Sequence, residues 1–431
     1  MTRHRWLKKL GGILLVVSLM CSMAVAVPAA GDDLLQAGSW TEDWKLTPSV
    51  ENGATLTEAD GAAVITVTEG SAVLSKQTHN SLYRKPMLLS FTAKVEALEI
   101  GSSAYIKVER TDVSTDTQQC KSAPITMTEW KTIEIYFFPA TTGKMRVDIT
   151  LEGTGKLYVK DILCKEYAGD NLIPYGNGEN TEQKILESKT FGGGSFANST
   201  ETAYKGLASY KLTKNGRIVE IPVEIGSTYL LEFAFYYSSS VKPRAQVRWN
   251  NPDNQTIAQT ILFEAAKAGE WTTYGVYLTI PATCENKTSN GTVTEATEDI
   301  TLTLRTENDT QNVFYDEISF RKIDAGLMDS DRNAVFTPAS GETVTAFTTV
   351  EAGKSGTAIV ALYKKNGETR TLIGVESAPI VAAEAMQAAT ATYTLPETME
   401  AGEYDITVFA WDMANGLSSL KDAYTHTWTV Q

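Results

Sequence analysis

From about residue 55 onward, apolar and polar side chains alternate in short runs. Residues 64–68, 88–95, 104–108 and 132–138 are rich in β-branched and aromatic side chains, with Gly, Asn, Asp or Pro clusters between them. A period of two sends successive side chains to opposite faces, so each run predicts a half-buried strand. The pattern returns at residues 217–223, 229–237, 245–249, 273–280 and 300–304. Helical three-four spacing is nearly absent, and only residues 262–268 predict a short helix. Many short strands at regular spacing predict an all-β chain of antiparallel sandwiches.

The strand pattern is used twice. Leu88, Leu89 and Phe91 recur as Leu230, Leu231 and Phe233, an offset of 142 from Leu88 to Leu230, and Trp130 recurs as Trp271, an offset of 141. Residues 147–167 likewise match 300–323, a comparison that sets Asp161 against Asp316. One domain plan therefore spans residues 31–168 and again 169–325. The second copy carries a polar insertion at 283–297 that reads as a surface loop. Residues 326–431 do not join the repeat. Their strands, with the turn signal Asn366-Gly367 between two alternating runs, predict a hairpin inside an immunoglobulin-like or fibronectin-like sandwich.

The first thirty residues have the form of a secretory signal peptide. Arg3, Arg5, Lys8 and Lys9 precede an apolar stretch at 11–27 that ends in small residues. The expected location is secreted or extracellular, with association at the cell surface also open. A net charge of −14 argues against nucleic acid, and against a membrane after signal removal, because both need a basic face. Cys120 and Cys164 could pair in an oxidising compartment, whereas Cys284 stands in the insertion. The spacing of these cysteines does not suit zinc. His79 and His426 fall in different domains, and the chain has no nucleophile elbow, phosphate loop or metal-ligand cluster. These features predict a protein that is not an enzyme.

Each copy opens on a similar segment, Asp33-Leu34-Leu35 and Asn171-Leu172-Ile173. Each then has the Glu-Trp strand opening and a last strand containing Tyr158, Asp161 and Ile162 or Tyr315, Asp316 and Ile318. Over residues 31–324 this resembles the galactose-binding-like jelly rolls of carbohydrate-binding modules attached to secreted bacterial glycanases. The stretch from Tyr404 through Asp412 resembles immunoglobulin-like accessory domains of Gram-positive surface proteins. The resemblance implies polysaccharide binding without catalysis. It also implies a structural calcium held by Asp316 with Glu179 or Glu182, and by Asp161 with Glu42 or Asp43, since hard oxygen ligands suit that ion.

A polysaccharide site needs aromatic surface for sugar-ring faces and planar polar groups for hydroxyls. In residues 245–249, period two sets Gln246 and Arg248 on one face and Ala245, Val247 and Trp249 on the other. The matching strand of the first copy offers Tyr105 and Lys107, with Glu109 beside them. Tyr236 shares a face with Glu232, and the reading groups Tyr236, Gln246 and Arg248 into one site. Trp249 is expected to turn outward at its strand end, and Trp40 and Trp44 are candidate ligand contacts. Trp130 and Trp271, being repeated, read as core. The same faces also read as ordinary solvated sheet. The alternative function is a surface structural or adhesion protein whose sandwiches bind surface-protein partners or act as spacers; a glycan-cleaving enzyme is a third. Tandem copies favour binding, because paired sites can raise avidity by ~10²–10⁴.

Overall fold

The computed structural model describes residues 32–431 except 82–84, 111–116, 140–142, 182–195, 213–214, 239–242, 252–253, 263–266, 289–290, 298, 307–312, 385 and 413–417. The chain divides into two compact units, residues 1–168 and 169–431. The expected signal segment lies outside the described residues. Among the described residues there is no α-helix, and no helix long and apolar enough to cross a membrane. Most of the predicted short helix also lies outside them, and Leu262 ends a strand instead.

The first unit is a two-sheet sandwich. Its strands are β1 (Lys45–Pro48), β2 (Ala54–Ala59), β3 (Ala62–Val67), β4 (Ser71–Ser81) and β5 (Met87–Glu96). They continue with β6 (Ser103–Arg110), β7 (Thr117–Lys121), β8 (Lys131–Phe137), β9 (Gly143–Glu152) and β10 (Gly155–Glu166). The sheets run β2-β3-β10-β5-β8 and β1-β4-β9-β6-β7. Alternation supplies the core: Ile65, Leu89, Phe91 and Leu157 from the first sheet, with Leu74, Ile106, Val108 and Ile149 from the second, are all buried. Each such side chain contributes about 1.5–3 kcal/mol through burial. Cys120 and Cys164 are buried free thiols, as is Cys284 in the second unit.

The second unit begins with β11 (Phe196–Ser199), β12 (Ser209–Leu212), β13 (Asn215–Pro222), β14 (Thr228–Tyr237) and β15 (Pro243–Asn251). Next come β16 (Asn254–Leu262), β17 (Thr272–Thr279), β18 (Thr283–Thr288), β19 (Gly291–Ala296), β20 (Asp299–Thr306) and β21 (Val313–Ile323). Sheet orders β11-β12-β21-β14-β17 and β13-β20-β15-β16 reproduce the first unit strand for strand, apart from β1. The repeat in the sequence is thus a repeat of topology. The insertion is not an irregular loop. β18 and β19 pair antiparallel as a hairpin in which Cys284 is 3% exposed.

A further sandwich completes this unit: β22 (Ala325–Met328), β23 (Thr343–Val350), β24 (Gly356–Asn366), β25 (Thr369–Ile380), β26 (Gln387–Thr394), β27 (Gly402–Asp412) and β28 (Ser418–Val430). It has sheets β22-β23-β26 and β25-β24-β27-β28 around Val344, Val360, Leu362, Ile406, Val408 and Trp428. Asn366 pairs with Thr369 across the predicted turn, where Gly367 takes φ +66°. This sandwich joins the preceding one through a small apolar cluster of Leu230, Tyr277 and Phe347. Tyr277 and Phe347 meet edge to face with ring centroids 5.0 Å apart. Gly326 makes the approach possible, because a Cβ there would stand 2.4 Å from the Tyr277 hydroxyl.

Candidate functional site

In the first domain the outer face of the β1-β4-β9-β6-β7 sheet is built from three cross-strand pairs. Tyr105 faces Thr150, Lys107 faces Asp148 and Glu109 faces Arg146. Inward neighbours Ile106 and Val108 anchor the strand, so period two forces these polar side chains outward. Arg146 bonds Asp148 at 2.8 Å through Nε and Glu109 at 2.6 Å through Nη2. Lys107 bonds Glu109 and stands 3.9 Å from Asp148. The Tyr105 hydroxyl donates to Glu152 at 2.8 Å, and the Lys121 ammonium sits 3.8 Å from its ring centre. Burial, and then the Glu152 carboxylate, push the Tyr105 phenol up to about 12, so it stays a donor at neutral pH. Glu109 lies on this face as alternation predicts, whereas Asp148 and Arg146, on the neighbouring β9, belong to it and were not among the expected contacts.

The second domain presents the equivalent face on β13-β20-β15-β16. Gln246 faces Thr303 and Arg248 faces Thr301, which places them in the registers of Tyr105 and Lys107. This face is more enclosed than a solvated sheet: Gln246, Thr301 and Thr303 are 7%, 1% and 3% exposed. Trp249 pairs opposite the buried Ile300 and is only half-buried, on the core side of the alternation rather than turned fully outward.

Tyr236 does not join Gln246 and Arg248. It lies on β14, in the other sheet, because the chain crosses the sandwich between β14 and β15. Its ring contacts Trp271 at 5.7 Å and Phe314 at 6.0 Å. Trp130 is not core either. It is 38% exposed, packs edge-on to Tyr158, and lies under the ammonium groups of Lys160 at 4.6 Å and Lys94 at 5.1 Å. Trp271 is half-buried, and its indole donates to the Thr202 hydroxyl at 3.1 Å. Trp40 and Trp44, expected at a ligand surface, are each 5% exposed and pack in a tilted pair with ring centroids 5.0 Å apart inside the first domain. Their indole nitrogens are spent on the Gly61 and Ala37 carbonyls.

The two acidic positions expected to match do not. β10 and β21 each carry a bulge that breaks pairing after Lys160 and after Asp316. The left-handed bulge residues are Asp161 (φ 51°) and Glu317 (φ 50°). Asp161 is therefore the counterpart of Glu317 and is exposed, while Lys160 is the counterpart of Asp316. Glu182 lies outside the described residues, and the Asp43 carboxylate accepts from the Ser39 amide.

Asp316 and Glu179, by contrast, come to one loop. Asp316 Oδ2 accepts from the Tyr204 and Lys205 amides at 2.8 and 3.1 Å, and Glu179 Oε1 from the Leu207 and Ala208 amides at 2.5 and 3.1 Å. Gly206 stands between these donor pairs at φ +61°, where a Cβ would fall 1.7 Å from Glu179 Oε1. Both carboxylates are interior, 0% and 2% exposed. Burial outweighs the amide donors and lifts Asp316 to about 7. Among the described residues, no cluster of three or more His, Cys, Asp or Glu side chains could hold a metal.

No family model matches the chain, and no curated protein matches it. Among solved structures, the chain is similar to the tandem CBM22-1–CBM22-2 domain of Paenibacillus barcinonensis Xyn10C, with 14% identity, 69% of this chain and 99% of that one covered, and a TM-score of 0.27. A CBM4 structure matches at 18% identity over 32% of this chain and 96% of that one, TM-score 0.24. A module described as TmCBM61 in complex with β-1,4-galactotriose matches at 16% identity over 32% and 99%, TM-score 0.25.

Proposed function

We propose that this is an exported, non-catalytic carbohydrate-binding protein whose first two sandwiches hold a polysaccharide on the outer faces of equivalent sheets. The observation that carries the reading is the Tyr105 face: an aromatic ring beside Lys107, Glu109, Asp148 and Arg146, which are fixed by ion pairs within and between β6 and β9. Such planar groups can donate to and accept from sugar hydroxyls, and their preorganisation limits the entropy lost on binding. Glu109 and Asp148 are tied to cations, which suits orientation of hydroxyls better than proton cycling. The third sandwich serves as an immunoglobulin-like spacer or docking module.

We propose in addition that the loop around Asp316 and Glu179 holds a structural calcium. Two interior carboxylates would supply hard oxygen donors. The ion would neutralise Asp316 and pin the 204–208 loop.

Retardation of the mature chain in gels containing a panel of soluble polysaccharides tests the binding reading. At least one glycan should slow it, and Tyr105→Ala or Arg146→Ala should restore part of the mobility. Free migration in every gel would sink the proposal, as would release of reducing ends during incubation.

A further inference from the structure

The outer face of the β11-β12-β21-β14-β17 sheet contains a cavity of about 350 Å³, within the size range of roughly 300–1,000 Å³ usual for small-molecule sites. It lies on the opposite sheet from the Gln246 and Arg248 face. Its floor includes Glu232 and Ser319, which pair directly across the strands, and Gly275 pairs with Glu232 on its other side. Arg321 closes one side through an ion pair with Glu232 at 2.6 Å, and Lys205 with Glu317, 3.1 Å apart, closes another. The lining charges cancel.

The Phe336 wall comes from outside the sheet. Residues 332–334 run along the β17 edge, with the Ala334 amide bonded to Gly275 O at 2.8 Å and the Tyr277 amide to Arg332 O at 3.1 Å. This brings Phe336 over the floor. Gly275 leaves the room, since a Cβ there would stand 3.0 Å from both Ala334 Cβ and Phe336 Cζ. The Phe336 carbonyl accepts from His426 Nε2 at 2.9 Å, which holds the wall to the third sandwich. Tyr274 is fixed by its hydrogen bond to Asn333. Phe336 and Tyr204 line the cavity yet stay 42% and 41% exposed, so their rings are reachable from solvent.

None of this is required by the shared fold. At the positions that pair in the same way, the first domain has Ser90 for Glu232, Glu134 for Gly275, Leu163 for Ser319 and Lys165 for Arg321. An exposed ring above a floor of carboxylate, hydroxyl and guanidinium matches a pyranose, which has an apolar face and a rim of hydroxyls. Cancelled charge favours a neutral sugar over a uronate. Beyond the cavity, rings continue along the same face from Tyr204 to Trp271 at 5.9 Å and on to Tyr236 at 5.7 Å, a path for neighbouring sugars.

We propose that this cavity is a second carbohydrate site, specific to the second domain and completed by Phe336, which takes a single neutral hexose or pentose ring of a glycan. It shares only its ligand class with the face proposed above, and stands on different residues.

The test is saturation-transfer NMR on the mature chain with methyl glycosides of glucose, galactose, mannose and xylose, backed by titration calorimetry. At least one should receive saturation. Phe336→Ala and Glu232→Gln should each weaken it by about tenfold or more, with near-ultraviolet circular dichroism unchanged; Glu232→Gln keeps the shape of the floor should Phe336→Ala perturb the fold. Tyr105→Ala should leave in place the part of the monosaccharide binding that the two cavity variants remove. Binding lost with Tyr105→Ala but kept in both cavity variants would overturn the assignment while leaving the sheet-face reading intact. Binding of none of the four would also overturn it.

Discussion

Phe347→Ala should break the joint between the second and third sandwiches. The ring is 2% exposed and packs edge-on to Tyr277 in a cluster containing one further buried residue, Leu230. Burying and then truncating a phenylalanine costs about 3–5 kcal/mol. The small cluster argues for the lower end, because fewer neighbours lose contacts. For a unit of this size, about 3 kcal/mol corresponds to a Tm drop of roughly 6–12 °C. Calorimetry of the mature chain would read the drop, together with separation of the two sandwiches into distinct transitions. Leu372→Ala is the control: its side chain is 54% exposed on β25, and the change should stay within about 0.5 kcal/mol. A double-mutant cycle with Tyr277→Ala should show coupling of about 0.5–1.5 kcal/mol, the usual range for an aromatic pair. A single unshifted transition for Phe347→Ala, or strict additivity in the cycle, would refute the joint.

Two further outcomes follow from the charged sites. Asp148→Asn removes the 1% exposed carboxylate that faces both Arg146 and Lys107, and should cost the first unit about 1–3 kcal/mol in urea unfolding; a loss under about 0.5 kcal/mol would mean the network is surface decoration. Calcium should raise the melting temperature of the wild-type chain and a chelator should reverse it, whereas Asp316→Asn should respond to neither. A wild-type chain indifferent to both would remove the calcium reading.

Much of the architecture was legible because period two and the repeated landmarks are local signals. Phe233, Phe235 and Tyr237 could be assigned to one face by counting alone, and they are buried. Which sheet a strand joins is not local, and that separated Tyr236 from Gln246. The outward setting of Trp130 and Trp271 was legible in the alternation as well. Trp130 is out of phase with the buried Ile133, Ile135 and Phe137, and Trp271 with Val276 and Leu278, so continued alternation sends both outward. For the acidic pair, aligning Ile162 with Ile318 rather than one Asp with the other would have matched Asp161 to Glu317. The bulge that makes this matter adds one residue and cannot be seen in hydropathy. Phe336 was beyond sequence reasoning, since only the fold lays the segment after the second sandwich against β17.

The exchange of Asp316 for Lys160 bears on how the two copies respond to their surroundings. At that register the first domain carries a covalently attached cation, which rests on Trp130. The second carries a buried anion that, on the calcium reading, must recruit its counterion from outside. One copy would then be constitutive and the other conditional on the medium. On the proposed binding and calcium readings, such a tandem would hold a polymer through one copy at all times and add the second only where divalent ion is plentiful.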